Sequence, residues 1–208
     1  MDLTVRPAQQ RRSKEGWTRV LDAGVAVLTE RGSEGFTISA VCERAGVTPP
    51  TIYRRAPNKD ALFLAVYEHG IAQVRATETA KLAEPSPAQD GDAAAVVRQA
   101  VRRIAETFLA HRDFLRAVII ISATNETVHS RGVDASNTLA AIFSRLTESV
   151  TPPELEESRT SFFQMLFGAL VLRTGFGGDF AMPAPVSDDA FVAGLEAVAE
   201  KMWKTRSR

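Results

Sequence analysis

Apolar residues recur at steps of three and four along most of this chain. Trp17, Val20, Leu21, Gly24, Val25 and Leu28 form one such series, the pattern of a helix with a single buried face. Arg31-Gly32 marks its end, with glycine where a chain leaves a helix. Val41, Cys42 and Ala45 give the inner face of a second helix, for which Thr37 is the N-cap. Gly46 breaks that helix. Thr48 then caps a third, with Pro49 at its first position, where no N–H is needed. Pro57 stops it. Asn58 caps a fourth helix with Asp60 in its first turn, favourable to the helix dipole. Its inner face runs through Leu62, Phe63, Val66, Ile71 and Val74.

Residues 84–91 (EPSPAQDG) read as a linker. Asp92 caps a fifth helix to about Ala110. A sixth follows over 113–125 and a seventh over 133–150. Thr151-Pro152-Pro153, with Glu154, Glu156 and Glu157 behind it, opens an eighth that runs to about Thr174. Residues 175–185 read as a loop. Ser187-Asp188-Asp189 caps a ninth helix with Phe191, Leu195, Val198 and Met202 at helical spacing. The run Val118-Ile119-Ile120-Ile121 has strand-like residues, but its helical flanks favour a buried helix. Residues 1–13 are polar and aperiodic and read as a flexible basic arm. The expected fold is all-α, with about nine helices and no internal repeat.

Composition narrows the function classes. In 208 residues, 45% hydrophobic and 24% charged exclude wholesale disorder. The one cysteine, Cys42, rules out an internal disulfide, fits a reducing cytosol, and reads as a small buried hydrophobe. His69, His111 and His129 have no ligand spacing, so no metal is expected. The glycines at 175, 177 and 178 follow a helix rather than a strand, unlike a nucleotide loop, and no cofactor is expected. Apolar runs such as 117–121 fall far short of the ~20 residues of a membrane span. No secretory leader is visible. A cytoplasmic protein without a membrane partner is expected. Net charge is zero, yet residues 1–60 hold 10 Lys/Arg against 7 Asp/Glu, and the remainder 15 against 18. Arg6, Arg11, Arg12 and Lys14 face only Asp2. A basic head on an acidic body points to a polyanion partner for the head.

Residues 37–56 place a helix, a glycine turn and a short second helix in succession, a helix-turn-helix pattern. Val47 and Ile52 must pack back on the first helix. Thr48, Pro49, Thr51, Arg54 and Arg55 then face outward, and the Tyr53 phenol is long enough to reach a phosphate. A helix so presented fits the major groove, where base edges are distinguishable.

Glu34-Gly35-Phe36-Thr37, Ala45-Gly46-Val47-Thr48, Thr51-Ile52-Tyr53, Lys59 and Leu62, in ungapped spacing over residues 16–66, resemble the TetR family of transcriptional regulators. The resemblance implies a helix-turn-helix head over 14–74 and a ligand-binding and dimerisation body over 75–208. It implies that Thr37 caps the second helix and bonds a phosphate, and that Ser39 touches DNA. Thr48 would cap the recognition helix, with Pro49, Pro50 and Thr51 at its base-facing start. Tyr53, Arg55 and Lys59 would grip the backbone, and Arg54 would reach a base or a phosphate. The chain departs from the family at Ala56, where a bulky residue is common, and at Gly24, where alanine is common. The two prolines restrict base contact at 49 and 50 to apolar contact.

Ten of the eleven phenylalanines follow residue 60. Taken one by one, these are core residues. The resemblance adds a body that encloses an apolar pocket, with Phe108, Phe114, Phe143, Phe163 and Phe167 as lining candidates. Asn125, Asn137, Gln164 and Arg173 are its polar candidates. It also implies that helices eight and nine pair with their copies in a two-fold bundle. Gly168 would then allow close approach, and Leu166, Leu170, Leu195, Val198 and Met202 would bury the seam. The expected function is a ligand-responsive homodimeric repressor that binds a pseudo-palindromic operator and is released by a small hydrophobic effector. A ligand-independent regulator or an activator is the alternative within the family. An all-helical enzyme or adaptor is the alternative outside it, although no nucleophile–base constellation is present.

Overall fold

Helix boundaries in this chain are set by local chemistry, and the helices are then sorted by which face they bury. The computed structural model describes residues 7–84, 92–180, 184 and 186–205, with side chains from Ser13 to Lys204 among them. The described residues form α1 (Pro7–Gly35), α2 (Ile38–Ala45), α3 (Pro49–Tyr53), α4 (Lys59–Ala83), α5 (Ala93–Ala110), α6 (Arg112–Ser122), α7 (Glu126–Thr147), α8 (Glu156–Phe176) and α9 (Asp188–Thr205). Short 3-10 turns precede α8, and there is no strand among the described residues. The all-α expectation holds. The chain divides into two compact units, Met1–Arg75 and Ala76–Arg208, with the boundary inside α4.

In the first unit, α1 begins at Pro7 rather than after residue 13. Residues 7–13 (PAQQRRS) are good helix formers behind a proline that suits the first helical position. The rest of the expected arm, residues 1–6, lies outside the described residues. The regular part of α1 stops at Gly32, whose φ of 63° leaves the helical region. The core is made by Val20, Val27, Leu28, Phe36, Ile52 and Leu62, all essentially inaccessible. Phe36 meets the edge of Phe63 at 5.7 Å between ring centroids. Gly24 has a packing reason that its helix propensity hides. A Cβ built there would stand 2.3 Å from Cγ2 of Val66, so only glycine lets α1 and α4 approach this closely.

In the second unit the core gathers Val101, Phe143, Phe162, Leu166, Leu170 and Trp203. Phe162 meets Trp203 edge-on at 5.7 Å. The ion pairs Arg98–Glu200 at 2.8 Å and Arg102–Glu196 at 2.6 Å tie α5 to α9. Asp188, at the start of α9, is gripped by Arg173 at 2.7 Å and by Arg112. Those two guanidiniums hold its carboxyl below the usual range. The end of α4 is held as well. Lys81 pairs with Glu106 at 2.8 Å, which raises the lysine's pKa. The buried Arg103 donates to the carbonyls of Leu82, at 3.4 Å, and Glu84, which satisfies acceptors that a helix end leaves open. Thr77 Oγ1 lies 2.7 Å from His111 Nε2, and burial lowers the pKa of that imidazole.

Other boundaries in the second unit also differ from the sequence expectation. α7 begins at Glu126, not near 133, because the Asn125 side chain accepts from the Val128 N–H at 3.0 Å and caps it. α6 ends at Ser122, so Asn125 is outside it. α8 extends through Gly175 and Phe176, which the sequence assigned to a loop. Residues 85–91 of the expected linker, residues 181–183 and 185 of the expected loop, and the basic tail residues Arg206 and Arg208 lie outside the described residues.

Candidate nucleic-acid interface

The turn between α2 and α3 is closed by backbone geometry. Thr37 is extended (φ −129°, ψ 155°), and its Oγ1 accepts from the Ala40 N–H at 3.1 Å. At the far end of α2, Gly46 takes a left-handed conformation (φ 65°, ψ 37°), which costs a residue with a Cβ about 1 kcal/mol. Its N–H donates to the Glu43 carbonyl at 3.3 Å, and the Val47 N–H to that of Cys42 at 3.0 Å. The chain thereby reverses and enters α3. Burial pushes the Cys42 thiol pKa up, as expected for a packing residue.

α3 has five residues, and Ile52 is its fully buried anchor. Thr48 stands at the N-cap, but its side chain makes no capping bond there. The Thr51 N–H instead donates to the Thr48 carbonyl at 2.9 Å. The Thr48 hydroxyl lies 3.4 Å from that of Thr51. Pro50 removes one of the two donors a capping side chain would seek, and the other, the Thr51 N–H, is taken by the Thr48 carbonyl. Thr37, Ser39, Thr48, Pro49, Pro50, Arg54 and Lys59 are exposed, Thr51 is half-buried, and Tyr53 is 50% exposed. Ala56 is buried at the end of the turn. Asn58 Oδ1 accepts from the Ala61 N–H at 2.8 Å, which sets the start of α4 where Lys59 sits.

Arg55 differs from the other candidates. It donates to the Ser13 hydroxyl at 2.7 Å and the Ser13 carbonyl at 3.1 Å. Its guanidinium also lies over the Trp17 ring at 5.3 Å. Arg55 therefore joins α3 to α1. Ser13 and Trp17 lie about forty positions away, and nothing in their spacing signals this contact. Arg44 and Glu30 fork together at 2.7–2.8 Å between α2 and α1, which lowers the glutamate's pKa and raises the arginine's.

In the second unit the candidate ligand residues separate. Phe163, Gln164 and Phe167, with Asn137, line a cavity of about 400 Å³ between α7 and α8. Phe143 is fully buried against Phe162 and Phe163, and Phe114 is buried too. Phe108 packs on the core and meets Phe167 edge-on at 6.0 Å. These three fill the core instead of lining that cavity. Asn125 caps α7 and is exposed, so it supplies no polar group to the pocket. Arg173 is taken up by Asp188 and lies over the Phe191 ring at 4.6 Å. Of the four polar candidates, Asn125 and Arg173 are held at helix termini, while Asn137 and Gln164 line the cavity.

The expected seam residues also divide. Leu166 and Leu170 are each 1% exposed and belong to the unit's own core. Leu195 and Met202 pack against that core. Gly168 and Val198 are on the surface. Beside them stand apolar residues the periodicity did not single out: Met165 at 59%, Leu172 and Phe176 exposed on α8, and Ala190, Ala193 and Ala197 exposed on α9. α8 is apolar around most of its circumference, so its sequence did not show which face is buried. Among the described residues no group of His, Cys, Asp and Glu gathers as a metal site, and no helix is long and apolar enough to cross a membrane.

Comparison with known proteins gives this geometry a setting. Residues 20–66 match the family model of bacterial regulatory proteins, tetR family. The HTH-type transcriptional regulator CymR of Pseudomonas putida is 29% identical over 128 residues, 62% of this chain and 61% of that one. An uncharacterized HTH-type regulator of Mycobacterium bovis is 39% identical over 57 residues, 27% of this chain and 28% of its own. The matches thus span about three fifths of the first relative's length and just over a quarter of the second's. A TetR-like regulator from Rhodococcus sp. RHA1 superposes with a TM-score of 0.65 at 20% identity, over 88% of this chain and 93% of that one. A second TetR regulator from the same organism does so at 0.55 and 19%, over 93% and 97%. The two structures establish a shared fold.

Proposed function

We propose that this chain, which belongs to the TetR family of bacterial regulatory proteins, is a DNA-binding transcriptional regulator that acts as a homodimer and answers to a small effector. Regulators of this family are not enzymes. The observation that carries the reading is α3 with its turn. A left-handed Gly46 and a buried Ile52 fix a five-residue helix whose opposite side is exposed. Such a helix enters the major groove, with Pro49, Pro50 and Thr51 at the base edges. The prolines read by apolar contact, with thymine methyls as the natural partners. Thr37, Ser39, Thr48, Tyr53 and Lys59 take phosphates, and Arg54 takes a phosphate or a base edge. Arg55 acts by holding α3 against α1.

Two copies pair through the exposed apolar residues of α8 and α9: Met165, Gly168, Leu172 and Phe176 with Ala193 and Val198. A two-fold pair presents two recognition helices about one DNA turn apart, so the operator is a pseudo-palindrome. An effector bound in the body releases DNA by preferring the non-binding state, and α4, which supplies residues to both units, carries the change. The protein works in the cytoplasm, where it meets DNA.

Fluorescence anisotropy with random-sequence duplexes tests the interface. Affinity should fall linearly on a log–log plot against salt. Tyr53→Ala and Lys59→Ala should weaken all duplexes alike, and Lys59→Ala should reduce the salt slope by about one phosphate contact. A change at Thr51 should alter which sequence is preferred. Absence of salt-dependent binding even at low salt would overturn the reading.

A further inference from the structure

We propose that Asp22, His69 and Gln73 form a site for a divalent transition-metal ion of the nickel and cobalt class, which pins α1 to α4 within the first unit. His69 and Gln73 stand one turn apart on α4, so their side chains leave the helix on one face. Asp22 lies across from them on α1, 47 positions before His69. The two helices approach closely there because Gly24 has no Cβ to meet Val66. Asp22 is two positions from that glycine, and His69 is three from that valine.

Three side-chain atoms meet as a triangle. Asp22 Oδ1 lies 2.6 Å from His69 Nε2 and 3.2 Å from Gln73 Nε2, and the last edge, from Gln73 Nε2 to His69 Nε2, is 3.1 Å. Hydrogen atoms cannot satisfy all three edges while the carboxylate is ionised. A protonated Nε2 donates to Asp22 but then faces the amide nitrogen as a second donor. A bare Nε2 accepts from the amide but then faces the carboxylate as a second acceptor. Turning the amide over sets its oxygen against the carboxylate oxygen, which moves the conflict to the third edge. With Nε2 bare and the amide oxygen inward, three lone pairs converge on one point, and a cation placed there satisfies all of them.

The spacing of the three atoms fits as well. Metal–ligand bonds of about 2.1 Å put neighbouring octahedral ligands about 3.0 Å apart, and tetrahedral ones about 3.4 Å. The three edges bracket the octahedral value. One imidazole with two oxygens suits nickel or cobalt, whereas magnesium prefers oxygen donors throughout. Water reaches the cluster, because the Asp22 side chain is 51% exposed and that of His69 20%, and Gln73 is exposed. Waters therefore fill the remaining positions. The sequence hides the site because its carboxylate is far from its imidazole and its third ligand is a neutral amide.

Nickel titration of the purified chain, without a histidine tag, tests the site by calorimetry, with thermal melting alongside. A single equivalent of nickel should bind and raise the melting temperature by about 4 °C, while magnesium at the same concentration should do neither. Asp22→Asn and Gln73→Ala should each weaken nickel binding at least about tenfold, and His69→Ala should remove it. His111→Ala and His129→Ala should leave it unchanged. Gln73 is on the surface, so its variant keeps the test decisive if His69→Ala fails to fold. No nickel bound, unchanged affinity in both Asp22→Asn and Gln73→Ala, or loss of binding in His129→Ala would each overturn the proposal. DNA binding plays no part in these readouts, so their failure leaves the regulatory reading standing.

Discussion

In the head, the residues that face outward do so because of backbone settled within a few positions of them. Thr37 closes on Ala40, Gly46 turns over on Glu43 and Cys42, and Asn58 closes on Ala61. In the body, which face of a helix is buried depends on partners far away in the chain. Met165 is 59% exposed and its neighbour Leu166 is 1% exposed, and only packing against α5, α6, α7 and α9 tells them apart. Local devices can be read from spacing; tertiary sidedness cannot, least of all on a helix apolar on most of its surface.

The largest effect that sharpens this contrast belongs to the body core. Phe143→Ala should lower stability by about 3–5 kcal/mol, read by chemical denaturation, because the ring is fully buried against Phe162 and Phe163. A change below 1 kcal/mol would mean that the core is looser than described.

Next in size is a head position where contact with α4 matters. Gly24→Ala should destabilise by about 1–3 kcal/mol through overpacking on Val66. Propensity alone would make alanine the better helix residue. The double variant Gly24→Ala with Val66→Ala should recover part of the loss. A gain in stability from Gly24→Ala alone would break the packing argument.

Smaller still is the cap. Thr37→Ala should cost about 1 kcal/mol of stability, and Thr37→Ser should restore it. Met165→Glu should leave the melting temperature nearly unchanged, since the side chain is on the surface, while halving the molar mass seen by light scattering. An unchanged mass would remove α8 from the seam.

The smallest effect is a pH dependence. Burial lowers the His111 pKa, so the folded state takes up a proton less readily than the unfolded chain. The resulting stability is complete above the free imidazole value of about 6.5. It is lost progressively as the pH falls from there toward the folded value. Asp188, held low by Arg173 and Arg112, adds stability above the ordinary aspartate range that is lost only at more acid pH. Melting temperatures measured from pH 7.5 to 5 should therefore decline in the wild type and decline less in His111→Asn.

Much of the fold was legible. The helix-turn-helix, the caps at Thr37, Asn58 and Asp92, and the glycine at the end of α2 follow from residue types whose hydrogen bonds stay local. The start of α7 was missed because residues 126–132 are mostly polar and hide their helix, although Asn125 before them is a capping residue. The candidate site was legible in its position and less so in its support. Arg55 was read as a backbone grip, and its hold on Ser13 and Trp17 depends on α1 starting at Pro7, in a stretch without apolar periodicity. In the body, Phe163, Gln164 and Phe167 share one cavity because they share one face of α8.

Selection of duplex DNA from a random pool by the purified chain decides whether it is a sequence-specific DNA-binding regulator. Enrichment of a pseudo-palindrome whose half-sites lie about one helical turn apart is the expected result. Failure to enrich any sequence, with no duplex bound even at low salt, would contradict it.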